Sequence, residues 1–136
     1  MIGLDTNVLV RYFAQDDVVQ SKRATALMEP LPAERPGYVS QVALVEVARV
    51  LGRCYGVERE QMKDIVDSMI GTKELVVEGA DTVRKALRVF AASAKADFPD
   101  CLIERSGFAA ECEYTATFDV TASKVAGMQL LTSSPA

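Results

Sequence analysis

Short apolar runs alternate with longer segments of helical period along this chain, and this alternation restricts its fold more than any other feature. The apolar runs suit short strands, and the residues between them recur at the spacing of an amphipathic helix. A helix between two strands carries the chain back to the starting edge of the sheet, so the strands pair in parallel. The sequence therefore predicts the α/β class, with a short, mainly parallel central sheet of about five strands.

The same pattern gives the expected boundaries of the elements. We expect strands at Ile2 to Leu4, Tyr38 to Val39, Leu75 to Val77, Tyr114 to Thr117 and Leu130 to Leu131. We expect helices at Val18 to Glu29, Gln41 to about Tyr55, Glu58 to about Ile70, Asp81 to about Ser93 and Pro99 to about Glu111. Ser40 is the expected N-cap of the helix that begins at Gln41, because a serine hydroxyl accepts hydrogen bonds from first-turn amides. With 136 residues, 49% hydrophobic and 25% charged, the chain is expected to form one globular domain over residues 1–136.

The chain contains no histidine, which removes much familiar chemistry. Without imidazole there is no Ser-His or Cys-His nucleophile pair, no histidine general acid and no histidine-bound zinc. The three cysteines, Cys54, Cys101 and Cys112, are odd in number and lack CxxC spacing, so we interpret them as buried small hydrophobic residues. Catalysis would depend on carboxylates, hydroxyls, lysine or a hard metal ion.

Two aspartates follow predicted strands. Asp5 comes directly after the first strand, and Asp119 comes just after the fourth. In an open parallel sheet the carboxyl ends of the strands form the edge at which ligands bind, so both carboxylates are expected at that edge. Each also has a simpler interpretation, Asp5 as a helix N-cap and Asp119 as a turn residue or cap.

Glu46 interrupts the otherwise apolar run from Val42 to Ala48. A helix that is apolar on most sides is expected to be buried. One interpretation is a narrow solvated stripe, in which Glu46 pairs with Arg49 or Arg53 on the same side of the helix. The other is a carboxylate directed into a pocket, where its burial is costly unless Arg49 or a metal ion lies beside it.

Asp97 and Asp100 flank Phe98 and Pro99 where a later helix is expected to begin. Acidic residues in a first turn are favoured by the helix dipole, without any catalytic purpose. The full set of acids is more informative, because several carboxylates gathered at one edge would repel one another unless a cation lay among them. Oxygen ligands without histidine or cysteine indicate Mg²⁺ or Mn²⁺.

The charge and hydropathy of the chain narrow its partners and its location. A net charge of −4 argues against binding nucleic acid by bulk positive charge, although local contacts with phosphate remain compatible with it. No apolar stretch has the length of roughly 18 residues that a membrane-spanning helix needs, and the N-terminus lacks a signal-peptide pattern. We therefore expect a cytoplasmic protein without a membrane partner.

Four segments, in order along the chain, resemble the motifs of PIN-domain proteins. The first begins at Asp5 with the sequence Asp-Thr-Asn, and the second is Glu46 in its apolar helix after Ser40. The third is Asp97 to Ile103, and the fourth is Thr117 to Asp119. In its length and in the residues of these motifs, the chain is most similar to the VapC-type toxins of prokaryotic toxin-antitoxin modules. The resemblance covers essentially the whole chain and implies a three-layer α/β/α fold.

The resemblance implies a Mg²⁺- or Mn²⁺-dependent endoribonuclease. The positions that match the family's acidic pocket, as metal ligands and catalytic residues, are Asp5, Glu46, Asp100 and Asp119. Asp97 matches a frequently acidic position upstream of the third motif. Thr6 and Thr117 match hydroxyl positions that orient carboxylates or water. Metal-activated water would then cleave RNA to leave a 5′-phosphate and a 3′-hydroxyl.

The resemblance also implies partners. Relatives act on RNA (tRNA, rRNA or mRNA), pair as homodimers and are silenced by a cognate VapB-type antitoxin. The helical hairpin that begins at Gln41 is either a docking surface for such a partner or ordinary core packing. Candidates for RNA contact are Arg11, Arg84 and Arg88, with Lys22, Arg23 and Lys85 nearby, and the alternative for each is an ordinary solvated helix face.

Two other classes of α/β protein are excluded because the chain lacks residues that they need, and one further interpretation stays open. A phospho-receiver domain needs an acid pair after the first strand, an aspartate after the third and a lysine after the fifth, and the chain has Asp5-Thr6-Asn7, Glu78 and Thr132 there. An aspartate-nucleophile phosphatase needs a second aspartate where Asn7 stands. The remaining alternative is a non-catalytic PIN-fold scaffold that keeps the acids and binds RNA or protein without cutting.

Overall fold

The structure is a computed structural model, and it describes residues 1–132. The chain divides into two compact units, Met1–Ala80 and a second that begins at Asp81. Each unit carries its own parallel strands and helices, and they are described separately below.

The first unit is built on a three-stranded parallel sheet. Two helices lie between consecutive strands, which is the connection that parallel pairing requires. The elements are β1 (Ile2–Gly3), α1 (Thr6–Ala14), α2 (Val18–Met28), β2 (Gly37–Val39), α3 (Gln41–Cys54), α4 (Arg59–Gly71) and β3 (Leu75–Val77). The strand order is β1-β2-β3, with Ile2 opposite Gly37 and Tyr38 opposite Val76. All three carboxyl ends therefore lie along one edge of this sheet.

Local sequence signals set the ends of these helices. The Ser40 hydroxyl accepts a hydrogen bond from the Ala43 amide at 3.1 Å, so the predicted N-cap of α3 is confirmed. Asp17 caps α2 in the same way, accepting from the Gln20 amide at 2.7 Å. Helix α1 ends at Gln15, whose left-handed backbone turns the chain towards α2.

The core of the first unit lies between the sheet and its helices. It includes the fully buried side chains of Leu9, Val39, Leu44, Leu51, Val66 and Met69. Gly37 lies within this core, where an added Cβ atom would be 2.7 Å from Leu4 Cδ1 and would displace the end of that side chain. The α3–α4 hairpin contributes most of its apolar side chains to the interior, and Val42 stands out as 70% exposed. Core packing is therefore the main role of the hairpin's apolar residues.

The second unit has a two-stranded parallel sheet. Its elements are α5 (Ala80–Ala92), α6 (Phe98–Ala109), β4 (Ala116–Thr117), α7 (Val120–Val125) and β5 (Gln129–Leu130). Ala116 lies opposite Gln129, and Thr117 lies opposite Leu130. Helices α5 and α6 meet through an edge-to-face contact of Phe90 with Phe98, whose ring centroids are 5.9 Å apart. The first turn of α6 contains Pro99, as its sequence predicted.

The predicted α/β class is confirmed, since all five expected strands form and pair in parallel, but they form a three-stranded and a two-stranded sheet instead of one sheet of about five strands. Helix α7 was not anticipated. The prediction of buried cysteines is correct for Cys101 and wrong for Cys54 and Cys112, which are exposed. Cys112 lies beyond the end of α6 at Ala109, so it cannot share a helix face with Cys101. In residues 1–132, no helix combines the length and the apolar character needed to cross a membrane.

Candidate active site

Asp5 lies at the carboxyl end of β1 and directly precedes α1. Its backbone occupies the N-cap position of that helix, yet its side chain makes no capping hydrogen bond. The carboxylate is exposed, and within residues 1–132 it has no ion pair or hydrogen bond. Asp5 therefore occupies the N-cap position of its simpler interpretation without making the capping hydrogen bond, and among the described residues its carboxylate is left unpaired at this edge of the sheet.

Thr6 connects this edge to the middle of α3. Its side chain is 8% exposed, and Thr6 Oγ1 donates a hydrogen bond to Glu46 Oε2 at 2.8 Å. The two residues are 40 positions apart in sequence, so only the fold brings them together. A hydroxyl that donates to one carboxylate oxygen fixes the orientation of the group and leaves the other oxygen for a cation.

Glu46, Arg49 and Arg53 are all exposed, so the solvated stripe that was one interpretation of α3 is present, but among the described residues there is no ion pair between them. The hydrogen-bond partner of Glu46 is Thr6, the residue that follows Asp5. Asp5 and Glu46 thus approach the same part of the first unit through Thr6.

A further carboxylate of the same edge has a structural task. Glu78 follows β3, and its Oε1 accepts a hydrogen bond from the Gln41 backbone amide at 2.9 Å, at the first turn of α3. The Gln41 side chain in turn donates to the Glu78 carbonyl oxygen at 3.2 Å. Glu78 therefore holds the helix that carries Glu46. Sequence reasoning missed this role, because nothing local to Glu78 indicates a cap 37 residues away.

In the second unit, Asp119 lies just after β4 and caps α7. Its Oδ1 accepts a hydrogen bond from the Ala122 amide at 2.9 Å, and its own amide donates to Thr117 Oγ1 at 3.0 Å. The turn between β4 and α7 is thus fixed by Thr117 and Asp119 together. The structure gives Asp119 the capping role that was its simpler interpretation, while its second carboxylate oxygen remains open to another role.

Phe118, between these two residues, is 82% exposed. A large aromatic side chain is seldom left so open to water, because burying it would be worth a few kcal/mol. Sequence reasoning treated Phe118 only as part of a motif. The signal in the sequence was the position of Phe118 between the polar residues Thr117 and Asp119. Side chains alternate between faces where a chain is extended, so such a residue faces away from its two neighbours.

Asp97 and Asp100 lie at the start of α6. Asp97 occupies the N-cap position with an exposed side chain that makes no capping hydrogen bond. Asp100 is half-buried in the first turn, where the helix dipole favours a negative charge. The buried Phe98 and Pro99 between them anchor this end of the helix. Both acids are thus held near a helix N-terminus.

The candidate RNA-contact residues differ in their surroundings. Arg84 pairs with Asp81 at 3.2 Å on the surface of α5, which offsets its charge. Arg88 is exposed on the same helix and has no hydrogen bond or ion pair within residues 1–132. Arg11 donates from Nη1 to Asp16 at 2.9 Å and from Nε to Gln20 at 2.8 Å, so its side chain is held in one position.

The donor chemistry of these acids fits a hard divalent cation. The free carboxylate of Asp5 and the oriented carboxylate of Glu46 supply oxygen ligands, the type that Mg²⁺ and Mn²⁺ prefer. Within either unit, over residues 1–132, no three acidic or cysteine side chains form a group that could hold a metal ion. Asp5 and Glu46 are thus two acids of the first unit whose oxygen atoms are of the type that such an ion prefers.

The order of acids on a parallel α/β frame can be compared with known families. The model of the PIN domain matches residues 2–128 and so includes every candidate site residue. The chain belongs to the PIN domain family. No curated protein matches it. PIN domains are in general nucleases that use divalent metal ions and bind RNA, so the acids described above lie in a nuclease fold.

Proposed function

We propose that this PIN domain is a Mg²⁺- or Mn²⁺-dependent endoribonuclease and the VapC-type toxin of a type II toxin-antitoxin module. The observation that carries the proposal is the carboxylate of Asp5, which stands at a helix N-cap without capping and precedes the threonine that orients Glu46. A purely structural aspartate at that position would accept a hydrogen bond from the first turn. The family match over residues 2–128 supports a single domain over residues 1–136.

The residues that would hold the metal are Asp5, Glu46, Asp100 and Asp119, with Asp97 as a secondary acid. When bound, a divalent ion would lower the pKa of a water molecule and offset charge on the scissile phosphate. Asp5 and Asp100 are the candidates to accept the proton from the attacking water. Cleavage then leaves a 5′-phosphate and a 3′-hydroxyl.

The chain's other residues position these groups. Thr6 fixes the rotamer of Glu46 through a 2.8 Å hydrogen bond, and Thr117 fixes the backbone at Asp119 through a 3.0 Å hydrogen bond. Orientation of this kind matters because a ligand that is already in place loses less entropy when substrate binds. Both threonines are therefore positioning residues in the proposal.

RNA reaches such acids only if other residues offset their charge. Arg11, Arg84 and Arg88 are the proposed phosphate contacts, and Arg88 is the one of these without a partner in residues 1–132. The exposed ring of Phe118 supports binding of single-stranded RNA, because unpaired bases stack on aromatic side chains. We further propose a homodimer, a VapB-type antitoxin partner and a cytoplasmic location, all of which follow from the VapC resemblance.

The test is cleavage of total RNA, including tRNA, by purified protein freed of any antitoxin. Reactions with Mg²⁺, with Mn²⁺ and with chelator are compared with the Asp5→Asn variant. Discrete cuts that need metal and vanish in the variant are the expected result, and the cut sites would reveal the target. Well-folded protein that binds RNA and metal without cutting would overturn the nuclease assignment in favour of the scaffold.

A further inference from the structure

A groove of about 340 Å³ runs between α1 and α2 in the first unit. Its apolar lining includes Val8 and Leu27, and its polar lining consists of Asn7, Arg11, Gln20 and Arg23. None of the described residues that line it is acidic. Two guanidinium groups above an apolar floor form a surface suited to an anion that carries a flat or apolar part.

Arg11 is presented to this groove by a rigid network. Arg11 Nη1 donates to Asp16 Oδ2 and to the Tyr55 hydroxyl, each at 2.9 Å, and the Tyr55 hydroxyl donates to the same Asp16 oxygen at 2.5 Å. Arg11 Nε donates to Gln20 Oε1 at 2.8 Å. The second terminal nitrogen, Nη2, makes no hydrogen bond within residues 1–132. A guanidinium held at three points loses little entropy when it binds a further acceptor.

Arg23 supplies the second positive charge. It is exposed, and among the described residues it has neither an ion pair nor a hydrogen bond. Asp16 offsets one of the two arginine charges, so the groove keeps a net positive charge. The uncompensated guanidinium in a protein of net charge −4 is a local site for an anion.

The groove also lies close to the candidate acids along α1. Asn7 and Arg11 are four residues apart and therefore occupy the same face of the helix. At a rise of 1.5 Å per residue, Arg11 lies about 9 Å further along the axis of α1 than Asp5. This rise is comparable to the length of one or two nucleotides. A strand that placed one phosphate at Asp5 would bring a neighbouring nucleotide to the groove.

We propose that the α1–α2 groove is an RNA subsite that binds the phosphate of a nucleotide neighbouring the scissile bond, with Arg23 and Arg11 as its contacts. This inference rests on the proposed function. Arg23 and Arg11 Nη2 bind the phosphate, and the base lies against Val8 and Leu27. Asp16 and Tyr55 are positioning residues, because they act on the RNA only through Arg11. Charge favours RNA over an apolar peptide as the occupant.

The chain offers a matched control in Lys22. Lys22 and Arg23 are adjacent on α2, and both are exposed and unpaired within residues 1–132, but Lys22 lies outside the groove. Arg23→Gln and Lys22→Gln therefore change the net charge equally. Both are made in the Asp5→Asn protein, which is expected to bind RNA without cutting it. Binding of a fluorescent single-stranded RNA is then titrated by anisotropy in Mg²⁺ at several salt concentrations.

Arg23→Gln should lower the slope of log affinity against log salt by about 0.7, the counterion release expected for one phosphate contact on a single strand. Lys22→Gln should leave the slope unchanged. If both variants lower the slope equally, the effect comes from bulk charge and the subsite is overturned. If neither variant changes the slope, the subsite is overturned as well. If wild-type protein cleaves RNA while the variants behave alike, the subsite alone fails. If the wild type neither binds nor cleaves RNA, the proposed function fails as well.

Tyr55→Phe tests the positioning role. In the Asp5→Asn protein it should weaken RNA binding severalfold while Arg11 is intact and have no further effect once Arg11 is changed to Gln, because the two substitutions then act on one contact. Additive effects of the two substitutions would show that Tyr55 affects RNA binding by a route other than Arg11 and would overturn this part of the inference.

Discussion

Replacing Thr6 by valine would separate the orientation of Glu46 from the presence of its charge. Valine has nearly the shape of threonine, so at a site that is 8% exposed it leaves no cavity and adds no bulk. Both residues are β-branched, so the helix propensity at the first position of α1 is nearly unchanged. The substitution removes only the hydrogen bond to Glu46 Oε2.

The size of the effect follows from the exposure of the acceptor. A hydrogen bond to a charged group contributes about 1.5 to 3 kcal/mol to the free energy of unfolding. Glu46 is exposed, so water replaces the lost hydroxyl and the expected cost falls to about 1 kcal/mol. In a chain of this length, that corresponds to a fall in Tm of about 4 °C. Loss of an outer-shell partner typically reduces metal affinity or activity by about 10- to 100-fold.

The assay combines urea unfolding with RNA cleavage across a range of Mg²⁺ concentrations. Thr6→Val should raise the Mg²⁺ concentration needed for half-maximal cleavage, while Thr6→Ser, which keeps the hydroxyl, should retain the wild-type requirement. If Thr6→Val cleaves like the wild type at low Mg²⁺, the hydrogen bond does not orient a metal ligand. If Thr6→Val lowers the free energy of unfolding by well over about 3 kcal/mol, then water does not replace the lost hydroxyl at Glu46 or valine does not fit the site.

Three further predictions use the same measurements. Asp5→Asn should abolish cleavage and change the free energy of unfolding by less than about 0.5 kcal/mol, because the carboxylate has no structural partner; a large loss of stability would refute this. Asp119→Ala should cost about 1 kcal/mol by removing the cap on the Ala122 amide, whereas Asp119→Asn should keep the cap and lose cleavage; equal stabilities would contradict the cap. The hydrogen bond from Tyr55 lowers the pKa of Asp16 below 3.8, and in return raises the pKa of Tyr55 above 10.0. The stability advantage of wild type over Tyr55→Phe should therefore be full between pH 3.8 and 10.0, and be lost as pH falls through the Asp16 pKa or rises through the Tyr55 pKa; a difference independent of pH would argue against the network.

The element pattern could be predicted from sequence because its signals are local. The Ser40 cap, the first-turn Pro99 and the short apolar runs each act within a few residues. Helix α7 was missed because its six residues include three β-branched ones and have no strong helical preference. That helix is capped by Asp119, for which a cap was one of two interpretations, but a possible cap does not by itself predict a helix.

The candidate site could be predicted only in part. The sequence places Asp5 at the end of a strand. Whether its side chain caps α1 depends on its rotamer, which the sequence does not indicate. The bond between Thr6 and Glu46 joins residues 40 positions apart, and the role of Glu78 depends on a contact across 37 positions. Neither periodicity nor spacing carries information at that range.

The prediction of a buried Cys112 is wrong because the chain leaves helix α6 before it reaches that residue. Helix α6 ends at Ala109, and Glu111 then takes a left-handed backbone with φ of 67°. At Gly107 a Cβ atom would lie 2.7 Å from Thr115 Oγ1, which shows how tightly the chain turns back on the end of the helix. The turn moves Cys112 off the helix and into water.

The exposure of Cys54 and Cys112 has a practical consequence for any solution study. A thiol open to solvent is oxidised in air, and two such thiols on different molecules can join covalently. A native homodimer should then persist on a sizing column in the presence of reductant, whereas a disulfide-linked pair should disappear. Cys54 also immediately precedes Tyr55, so alkylation or oxidation there would add bulk and charge beside the network that holds Arg11. Fresh reductant, or a Cys54→Ser and Cys112→Ser protein, is therefore the appropriate starting material for mass measurements and RNA titrations alike.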